Sequence, residues 1–376
     1  MKIVIAPDSY KETLKASEVA DIIESGFKKV FKDASFCKVP LADGGEGTAE
    51  ALKDATDGQE FKCEVLDPLE RKIKTSYVKL GNSNIAVIEM AKASGLELLS
   101  QDEKNPLETT TYGVGQLIKD AFENGISKFI LGLGGSATND CGIGMLQALG
   151  VKFFDKDNRE LPIIKAKYID KIVSFDIKAL EKYKNISIEV ACDVKNPLCG
   201  QNGASFVFGK QKGADDETIK FLDKSLEKFA DLCELKFGIK TKEIEGTGAA
   251  GGLGFALVTF FNAKLKSGID IVIENVGLEK EIKDATFVIT GEGKIDSQTI
   301  YGKTPIGVAK LAKKYDKKVI AIAGCTSKGY ELVYEYGIDA VFDVTPISMD
   351  FETIKKEAKY NLEQTAYNIA KVLKMN

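Results

Sequence analysis

KFILGLGGSATNDCGIGM, residues 128–145, is the stretch from which the fold can first be predicted. Apolar and glycine positions at 129–133 predict a short buried strand, the next two glycines turn the chain, and SATND (136–140) predicts the start of a helix. Glycines let the backbone approach a ligand closely, and a helix start adds unpaired N–H donors with a partial positive charge. The stretch therefore predicts an anion site, most naturally for phosphate, formed by Gly134, Gly135, Ser136, Thr138 and Asn139.

Two chemistries fit this stretch. Gly132, Gly134 and Ala137 match the G-x-G-x-x-A fingerprint of dinucleotide-binding proteins, and a second strand, VKFF, leads to Asp155, where an acidic ribose ligand is expected. Asp140 opposes this interpretation, because two like charges about 4 Å apart cost roughly 1 kcal/mol in water and several times more in a drier site. A bound Mg²⁺ between the carboxylate and the phosphate turns this repulsion into attraction, and ATP is bound together with Mg²⁺. Asp140 therefore favours phosphoryl transfer over hydride transfer. The structural alternative is that Asp140 and its neighbour only cap the helix.

Composition narrows the functional classes. The chain has 376 residues, 44% hydrophobic and 29% charged, with a formal charge of −4, which allows two domains and gives no broad basic field for nucleic acid. No apolar run reaches the roughly 18–20 residues of a membrane span, and the short run before Pro7 predicts a strand and not a signal peptide. We expect a cytoplasmic protein with reduced cysteines. The absence of histidine excludes Ser-His-Asp and Cys-His catalysis, so carboxylates, lysines or tyrosines must carry acid-base chemistry.

The N-terminal part alternates strands and helices. KIVIAP (2–7) is a continuous apolar run, typical of a parallel strand buried on both faces, and FCKVPL (36–41) predicts a second short strand. Ligands of such sheets bind beyond the carboxyl ends of the strands. The polar residues that follow the two strands are therefore candidates for binding, although they could instead only shape turns. The candidates after the two strands are Asp8, Ser9 and Lys11, then Asp43, Gly44 and Gly45.

The middle of the chain has a different pattern. Residues 61–90 alternate apolar and polar positions between turn signals, which predicts an antiparallel meander and a change of domain. Further along, ISIEVAC (186–192) predicts a strand that ends at Asp193, and a glycine-flanked basic turn contains Lys212. Gly251 and Gly252 lie in a dense glycine run before an apolar helix, where they permit close approach of a ligand or of another helix.

The last third returns to strands alternating with helices. ATFVIT (285–290) predicts a strand followed by a loop that contains Glu292, Lys294 and Asp296. Gly302-Lys303-Thr304 resembles the end of a Walker loop, but Ser297 stands where that motif needs its first glycine, so Lys303 is a candidate only as a phosphate point charge. Two more buried strands (317–324 and 340–344) and a closing helix (352–374) follow.

These patterns predict an α/β protein of two domains. The first is a discontinuous, doubly wound parallel-sheet domain of the Rossmann or flavodoxin-like type, formed by residues 1–60 and 280–376. The second is a mixed α/β domain inserted at residues 61–279, and we expect the active site in the cleft between the two.

A family resemblance rests on several blocks in a fixed order. They are DSYK (8–11), PLADGGEGT (40–48), LGLGGSATND (131–140), NPLCGQNGAS (196–205), QKGA (211–214), GAAGGLG (248–254), TGEGKIDSQT (290–299) and GKTPIGVA (302–309). Together they resemble the class I bacterial glycerate kinases over nearly the whole chain. The resemblance implies a two-domain α/β enzyme that transfers the γ-phosphoryl group of ATP to D-glycerate, giving 2-phosphoglycerate. Lys294 departs from the family pattern, which has arginine there, so a bidentate carboxylate clamp at this position is not expected.

The resemblance suggests roles for the candidates. Lys11, Lys212 and Lys303 would offset the charge of the γ-phosphate and the glycerate carboxylate, and Asp193 or Asp296 would accept the proton of the substrate hydroxyl. Asp43, Asp140 or Glu292 would bind Mg²⁺. The expected ligands are ATP and D-glycerate, with no nucleic acid or membrane partner, and the protein would act as a monomer or homodimer. A nicotinamide-dependent dehydrogenase and a non-catalytic nucleotide sensor are the alternatives.

Overall fold

The structure is a computed structural model that describes residues 1–10, 13–42, 47–81, 83–163, 165–345 and 350–375. Four of the candidate residues, Lys11, Asp43, Gly44 and Gly45, lie outside the described residues, and their predicted roles stay predictions.

The secondary structure follows the predicted alternation. The strands are β1 (Lys2–Pro7), β2 (Ser35–Lys38), β3 (Gln59–Leu66), β4 (Lys72–Lys79), β5 (Ile85–Glu89), β6 (Lys128–Gly132), β7 (Lys152–Phe154), β8 (Ser174–Asp176), β9 (Ser187–Ala191), β10 (Lys264–Lys266), β11 (Phe287–Ile295), β12 (Lys318–Thr326) and β13 (Ala340–Asp343). The α-helices are α1 (Ala16–Lys28), α2 (Thr48–Thr56), α3 (Ala91–Ser94), α4 (Tyr112–Glu123), α5 (Ile143–Ala148), α6 (Ala204–Phe208), α7 (Asp216–Phe237), α8 (Ala249–Phe261), α9 (Gly268–Val276), α10 (Leu278–Lys283), α11 (Thr304–Lys313) and α12 (Phe351–Leu373).

The chain divides into two compact units. Unit 1 comprises Met1–Asp43, Asp54–Thr56 and Ser267–Asn376, and unit 2 comprises Gly44–Lys53 and Asp57–Lys266. Residues 267–279, which the sequence patterns assign to the insertion, lie in unit 1 in this division because α9 packs against α11.

Unit 1 is built on a parallel sheet with the order β2–β1–β11–β12–β13. Numbered within the unit, this order is 2-1-3-4-5, the order of flavodoxin-like doubly wound sheets, so the predicted fold class is confirmed. Alternate strand residues face opposite sides of the sheet. Ile3, Ile5 and Ile289 pack in one core cluster with α1 and α12. Their neighbours Val4 and Val288 are buried outside that cluster, and α11 contacts the same strands.

Strand β11 is longer than predicted. The pattern ATFVIT ends at residue 290, but parallel pairing with β12 continues through Glu292, Lys294 and Ile295. Gly291 makes this possible, because a Cβ atom there would lie 1.9 Å from the carbonyl oxygen of Ile322 in the neighbouring strand. Glu292 and Lys294 therefore lie on a strand, and the predicted loop begins only after Ile295.

Unit 2 contains a mixed sheet with the order β10–β9–β6–β5–β4–β3. Strands β3, β4 and β5 form the predicted antiparallel meander, whereas β5, β6, β9 and β10 run parallel. The parallel strands end level with one another, because Glu89 pairs with Gly132, Gly132 with Ala191, and Ala191 with Lys266. The loops that follow these four strands therefore begin at one edge of the sheet.

The helix start predicted at SATND is wrong, whereas the apolar helix predicted after the second glycine run is present. The segment SATND is a loop, and α5 begins only at Ile143, after two left-handed residues, Cys141 and Gly142. Near the second glycine run, Ala250, Gly251 and Gly252 are also left-handed, so the regular part of α8 follows them. In both places a loop that contains glycines precedes the helix. The glycines therefore allow close packing of the backbone, and they do not mark the first N–H groups of a helix.

Candidate functional site

The candidate residues that the structure describes fall into two groups, one in each unit. In unit 1 they lie where β1 and β11 end. The sheet order reverses between these strands, and ligands of doubly wound sheets bind at such a switch point. Asp8 follows β1 directly, and its backbone N–H donates to the carbonyl oxygen of Gly291 at 2.8 Å. Its carboxylate accepts hydrogen bonds from the backbone N–H of Ser9 and from the Thr304 hydroxyl, each at 2.6 Å.

Thr304 is the first residue of α11, so Asp8 lies at the N-terminus of this helix. Lys303 immediately precedes the helix, its side chain does not cap the first turn, and Pro305 occupies an early position that needs no N–H donor. A helix N-terminus and a neighbouring ammonium group both attract an anion.

Glu292 is the buried acid of unit 1. Its Oε1 atom accepts a hydrogen bond from the Thr299 hydroxyl at 2.6 Å, and its Oε2 atom lies 3.5 Å from Lys303 Nζ. Burial raises the pKa of Glu292 to about 7, and the charge of Asp8 acts in the same direction, while Thr299 and Lys303 oppose both. The carboxyl group therefore gains or loses a proton close to neutral pH.

Asp296 and Lys294 form an ion pair near these residues, with 3.0 Å between Lys294 Nζ and Asp296 Oδ2. The Asp296 carboxylate also accepts a hydrogen bond from the backbone N–H of Gln298 at 2.9 Å. Burial opposes ionisation, but these hydrogen bonds and the charge of Lys303 outweigh it and lower the pKa of Asp296. A carboxylate held in this way is a weak base.

In unit 2 the candidates lie in the loop 133–142 after β6. Gly134 and Gly135 are exposed at the start of this loop, and a Cβ atom on Gly134 would meet open space. Ser136 is buried and forms a β-bridge with Gly95. Asp193 is exposed two residues after β9, the strand next to β6, so it follows the same edge of the sheet.

Asp140 connects this loop to Thr111, the residue immediately before α4, by hydrogen bonds. Its buried carboxylate accepts hydrogen bonds from the backbone N–H of Thr111 at 2.7 Å and from the Thr111 hydroxyl at 2.8 Å. It also accepts from the backbone N–H groups of Gly142 and Gly144, each at 3.2 Å. Burial raises the pKa of Asp140, although these hydrogen bonds oppose the rise. The metal role predicted for Asp140 stays a prediction, and its hydrogen bonds favour a structural role.

Lys212 is a buried lysine, only 1% exposed, at the end of a short 3-10 turn. Its Nζ atom donates to the carbonyl oxygen of Thr138 at 2.7 Å. Burial lowers the pKa of Lys212 to about 7, against the opposing charge of Asp140. Next to it, Thr138 Oγ1 and Asn139 Oδ1 are buried without a hydrogen-bond partner, while the Asn139 amide nitrogen donates to Ser205 Oγ at 3.0 Å.

Gly251 and Gly252 pack against this loop from α8. A Cβ atom on Gly251 would lie 2.1 Å from the Thr138 carbonyl oxygen, and one on Gly252 would lie 2.8 Å from Leu198 Cδ1. The Gly251 carbonyl oxygen accepts a hydrogen bond from the backbone N–H of Cys141 at 3.0 Å. These glycines allow two backbone segments to touch, which is the packing alternative considered for them.

Sequence patterns missed the residues whose role depends on a distant partner. Thr299 and Thr304 hold the two acids of unit 1, Thr111 holds Asp140, and Ser205 orients Asn139. The blocks DSQT and GKT contained the first two threonines, but no local pattern marks a hydroxyl as a partner of a buried acid. Among the described residues, no group of three or more acidic, cysteine or histidine side chains is placed to hold a metal ion.

Comparison with known proteins gives full-length matches. The profile described as glycerate kinase family matches residues 3–374. A glycerate kinase of Haemophilus influenzae is 50% identical over 374 residues, which cover 99% of each chain. The glycerate 2-kinase of Escherichia coli is 49% identical over 374 residues, 99% of this chain and 98% of that one. A crystal structure described as a glycerate kinase 2 from Salmonella typhimurium LT2 shares 47% identity with a TM-score of 0.91, and covers 100% of this chain and 98% of that chain. In the part of the chain that the structure describes, no helix has the length and apolar character needed to cross a membrane.

Proposed function

The chain belongs to the glycerate kinase family, and we propose that it transfers the γ-phosphoryl group of MgATP to the 2-hydroxyl of D-glycerate, giving 2-phosphoglycerate and ADP. The observation that carries this proposal is the match over essentially the full length at about half identity, including a relative named glycerate 2-kinase. We propose units 1 and 2 as its domains, a cytoplasmic location and action as a monomer or homodimer.

The switch point of unit 1 is proposed to bind the phosphates of ATP. Phosphoryl transfer depends mainly on positioning and on neutralising the charge of the transferred group. Lys303 would supply a point charge, and the first turn of α11 would supply helix N–H groups. Asp8 and Ser9 would shape the loop that faces these phosphates, since Asp8 already holds Thr304 at the helix start.

Glu292 and Asp8 fit a magnesium site. Mg²⁺ is usually bound by one or two carboxylates together with substrate phosphates and water, so two acids are sufficient. Glu292 is buried and its pKa is raised by burial and by the charge of Asp8, and a cation would relieve both effects. Bound Mg²⁺ supplies neutralisation of the phosphate charge. Asp140 fits less well, because its carboxylate is fully buried and held by Thr111, Gly142 and Gly144, whereas Asp8 is partly exposed.

Asp193 is the better of the two predicted general bases. A base must approach the substrate hydroxyl and must not be too weak at the working pH. Asp296 is paired with Lys294 and its pKa is lowered, which makes it a weak base. Asp193 lies two residues beyond β9, at the edge of the unit 2 sheet where β6 also ends. We therefore assign proton acceptance to Asp193 and charge balance near Lys294 to Asp296.

Replacing each aspartate with asparagine tests this assignment. Asp193→Asn should lower kcat by about 10²- to 10⁴-fold, the usual contribution of a general base, whereas Asp296→Asn should lower it by less than tenfold. Steady-state rates with saturating MgATP and D-glycerate measure both variants. The reverse ranking would move the role to Asp296, and losses within tenfold in both would exclude either residue as the base.

Phosphorus NMR tests the reaction itself. Purified protein incubated with MgATP and D-glycerate should give a new phosphomonoester signal split into a doublet by the single proton on C2. A triplet would indicate transfer to the 3-hydroxyl, because C3 carries two protons. The absence of any new ester would contradict the proposed acceptor.

The alternative of a nicotinamide-dependent dehydrogenase lacks the structural context that its motif requires. A dinucleotide fingerprint needs a strand, a turn, a helix and a second parallel strand beside the first. Here α5 begins eight residues after Gly135, at Ile143, and VKFF forms β7, which pairs antiparallel with β8 and not with β6. Asp155 therefore does not occupy the ribose position of that fold. The alternative of a non-catalytic sensor finds no support in the two relatives described above, which are named as kinases.

A further inference from the structure

The buried cluster formed by Thr138, Asn139 and Lys212 has unmet hydrogen-bonding capacity of both kinds. A protonated lysine has three donors, and Lys212 uses one of them on the Thr138 carbonyl oxygen. The Thr138 hydroxyl can donate, and Asn139 Oδ1 can only accept, yet neither has a partner. Thr138 and Asn139 are fully buried and Lys212 is 1% exposed. Buried polar groups are normally paired, so two unpaired atoms beside a lysine with unused donors indicate a ligand.

The identity of these atoms discriminates between the two substrates of a kinase. An ionised phosphate group offers only acceptors, so it would satisfy Lys212 and Thr138 but would leave Asn139 Oδ1 unpaired or repel it. A hydroxy acid offers a carboxylate that accepts and a hydroxyl that donates. The donor and acceptor pattern therefore matches an organic acid with a free hydroxyl better than it matches ATP.

One residue outside the cluster contacts the Asn139 amide. The amide nitrogen donates to Ser205 Oγ at 3.0 Å, and the amide oxygen is the atom without a partner. Asp140 connects the loop to Thr111 and to the start of α5, because it accepts hydrogen bonds from the backbone N–H groups of Thr111 and Gly144. The loop that presents the cluster is thus braced on both sides, as a selective site requires.

We propose that this cluster recognises the acceptor acid: Lys212 Nζ and Thr138 Oγ1 bind the carboxylate, and the hydroxyl that is not phosphorylated donates to Asn139 Oδ1. The proposal rests on the proposed glycerate kinase function and assigns the specificity of that reaction to Asn139. With transfer to the 2-hydroxyl, the 3-hydroxyl of D-glycerate is the donor. D-lactate has the 2-hydroxyl but a methyl group in place of the hydroxymethyl group, so its binding leaves Asn139 Oδ1 unpaired. The three side chains are buried in this structure, so a segment that covers the cluster must move to admit the acid.

Competition between D-lactate and D-glycerate for the wild-type protein tests the proposal. A site built to bind a substrate hydroxyl strongly rejects an analogue that lacks it, because its own polar group is left unpaired. D-lactate should therefore compete with D-glycerate at least about 10²-fold more weakly. Inhibition by D-lactate within threefold of the D-glycerate KM would overturn the proposal and would mean that the buried atoms hold water only.

The variant Asn139→Leu gives the second test, with both acids assayed as substrates by the phosphorus NMR signal. The ratio of kcat/KM for D-glycerate over D-lactate should fall by at least about 10²-fold, because leucine removes the unpaired oxygen that disfavours lactate. An unchanged ratio would overturn the proposal. If this variant does not fold, competition on the wild-type protein still decides. Failure of the proposed function is distinct, since the wild type would then form no phosphate ester from D-glycerate at all.

Discussion

Between pH 7 and pH 9 the wild-type protein should gain about 2–3 kcal/mol in free energy of unfolding that the Lys212→Met variant does not gain. Burial lowers the pKa of Lys212 from 10.5 to about 7 in the folded protein. Between these two values the unfolded chain holds the proton and the folded chain releases it. The unfolded state therefore binds more protons, and the free energy of unfolding rises with pH. Below pH 7 both states hold the proton, and this contribution is constant.

Urea unfolding at pH 7, 8 and 9 measures the effect. Lys210→Met is the matched control, since Lys210 lies in the same turn, is 72% exposed and forms an ion pair with Asp216 at 3.1 Å. Its curve should follow that of the wild type. Parallel curves for wild type and Lys212→Met would contradict the prediction, because they would mean that the folded protein keeps the proton on this amine.

A buried amine of this kind is unfavourable for folding at neutral pH. Taking a charged group out of water costs several kcal/mol unless a partner compensates it, and in the described structure Lys212 has one carbonyl oxygen and the more distant charge of Asp140. A buried lysine that lowers the stability of the fold has a physical reason to be present if its amine binds an anion during function. The stability experiment therefore bears on the same lysine as the proposed recognition of the acid.

The parallel sheet of unit 1 could be predicted from the sequence because its strands are buried on both faces. Continuous apolar runs such as KIVIAP (2–7) and KVIAIA (318–323) occur in few other settings, and all the residues of these runs except the terminal lysines are buried. The meander of unit 2 could be predicted for the opposite reason, because positions in β3 and in the first half of β4 alternate between more and less exposed.

The loop 133–142 could not be predicted, because its path depends on partners that are distant in sequence. Its fixing acid, Asp140, is held by Thr111, 29 residues earlier, and its backbone is held by Gly251. The left-handed conformation of Cys141 follows from these contacts and has no signature in the residue itself. Strand β11 is similar, since its extension to Ile295 depends on the neighbouring β12.

The unit 1 candidates were found because ligands of parallel sheets bind beyond the carboxyl ends of the strands, and the pairing of β1 with β11 brings Asp8 and Glu292 to the same edge. Their roles could not be ranked from the sequence. Burial distinguishes Glu292, whose pKa is raised to about 7, from Asp296, whose pKa is lowered beside Lys294. Such differences arise from the surroundings of each carboxyl group, which a pattern of acids and glycines does not describe.

Gly251→Ala should lower the free energy of unfolding by about 2–5 kcal/mol, as the sum of left-handed strain and overpacking. Gly251 has a φ of +65°, but the neighbouring Ala250 adopts a φ of 51°, so the conformation alone is tolerated here. The larger effect comes from space. The new Cβ atom would lie 2.1 Å from the Thr138 carbonyl oxygen and 2.5 Å from the Asn139 Cα atom, and both belong to backbone that cannot rotate away.

Gly134→Ala is the matched control for this prediction. Both glycines were predicted to bind substrate or phosphate, but a Cβ atom on Gly134 would have no atom within 4 Å, and Gly134 lacks a positive φ. Its stability should stay within about 0.5 kcal/mol of the wild type. Urea unfolding of both variants measures the difference, and a larger loss for Gly134→Ala than for Gly251→Ala would contradict the described packing. Because the Thr138 oxygen that Gly251 approaches also binds Lys212, displacement of this loop should disturb the acid-binding cluster as well, which makes Gly251 a determinant of the site without contact to a ligand.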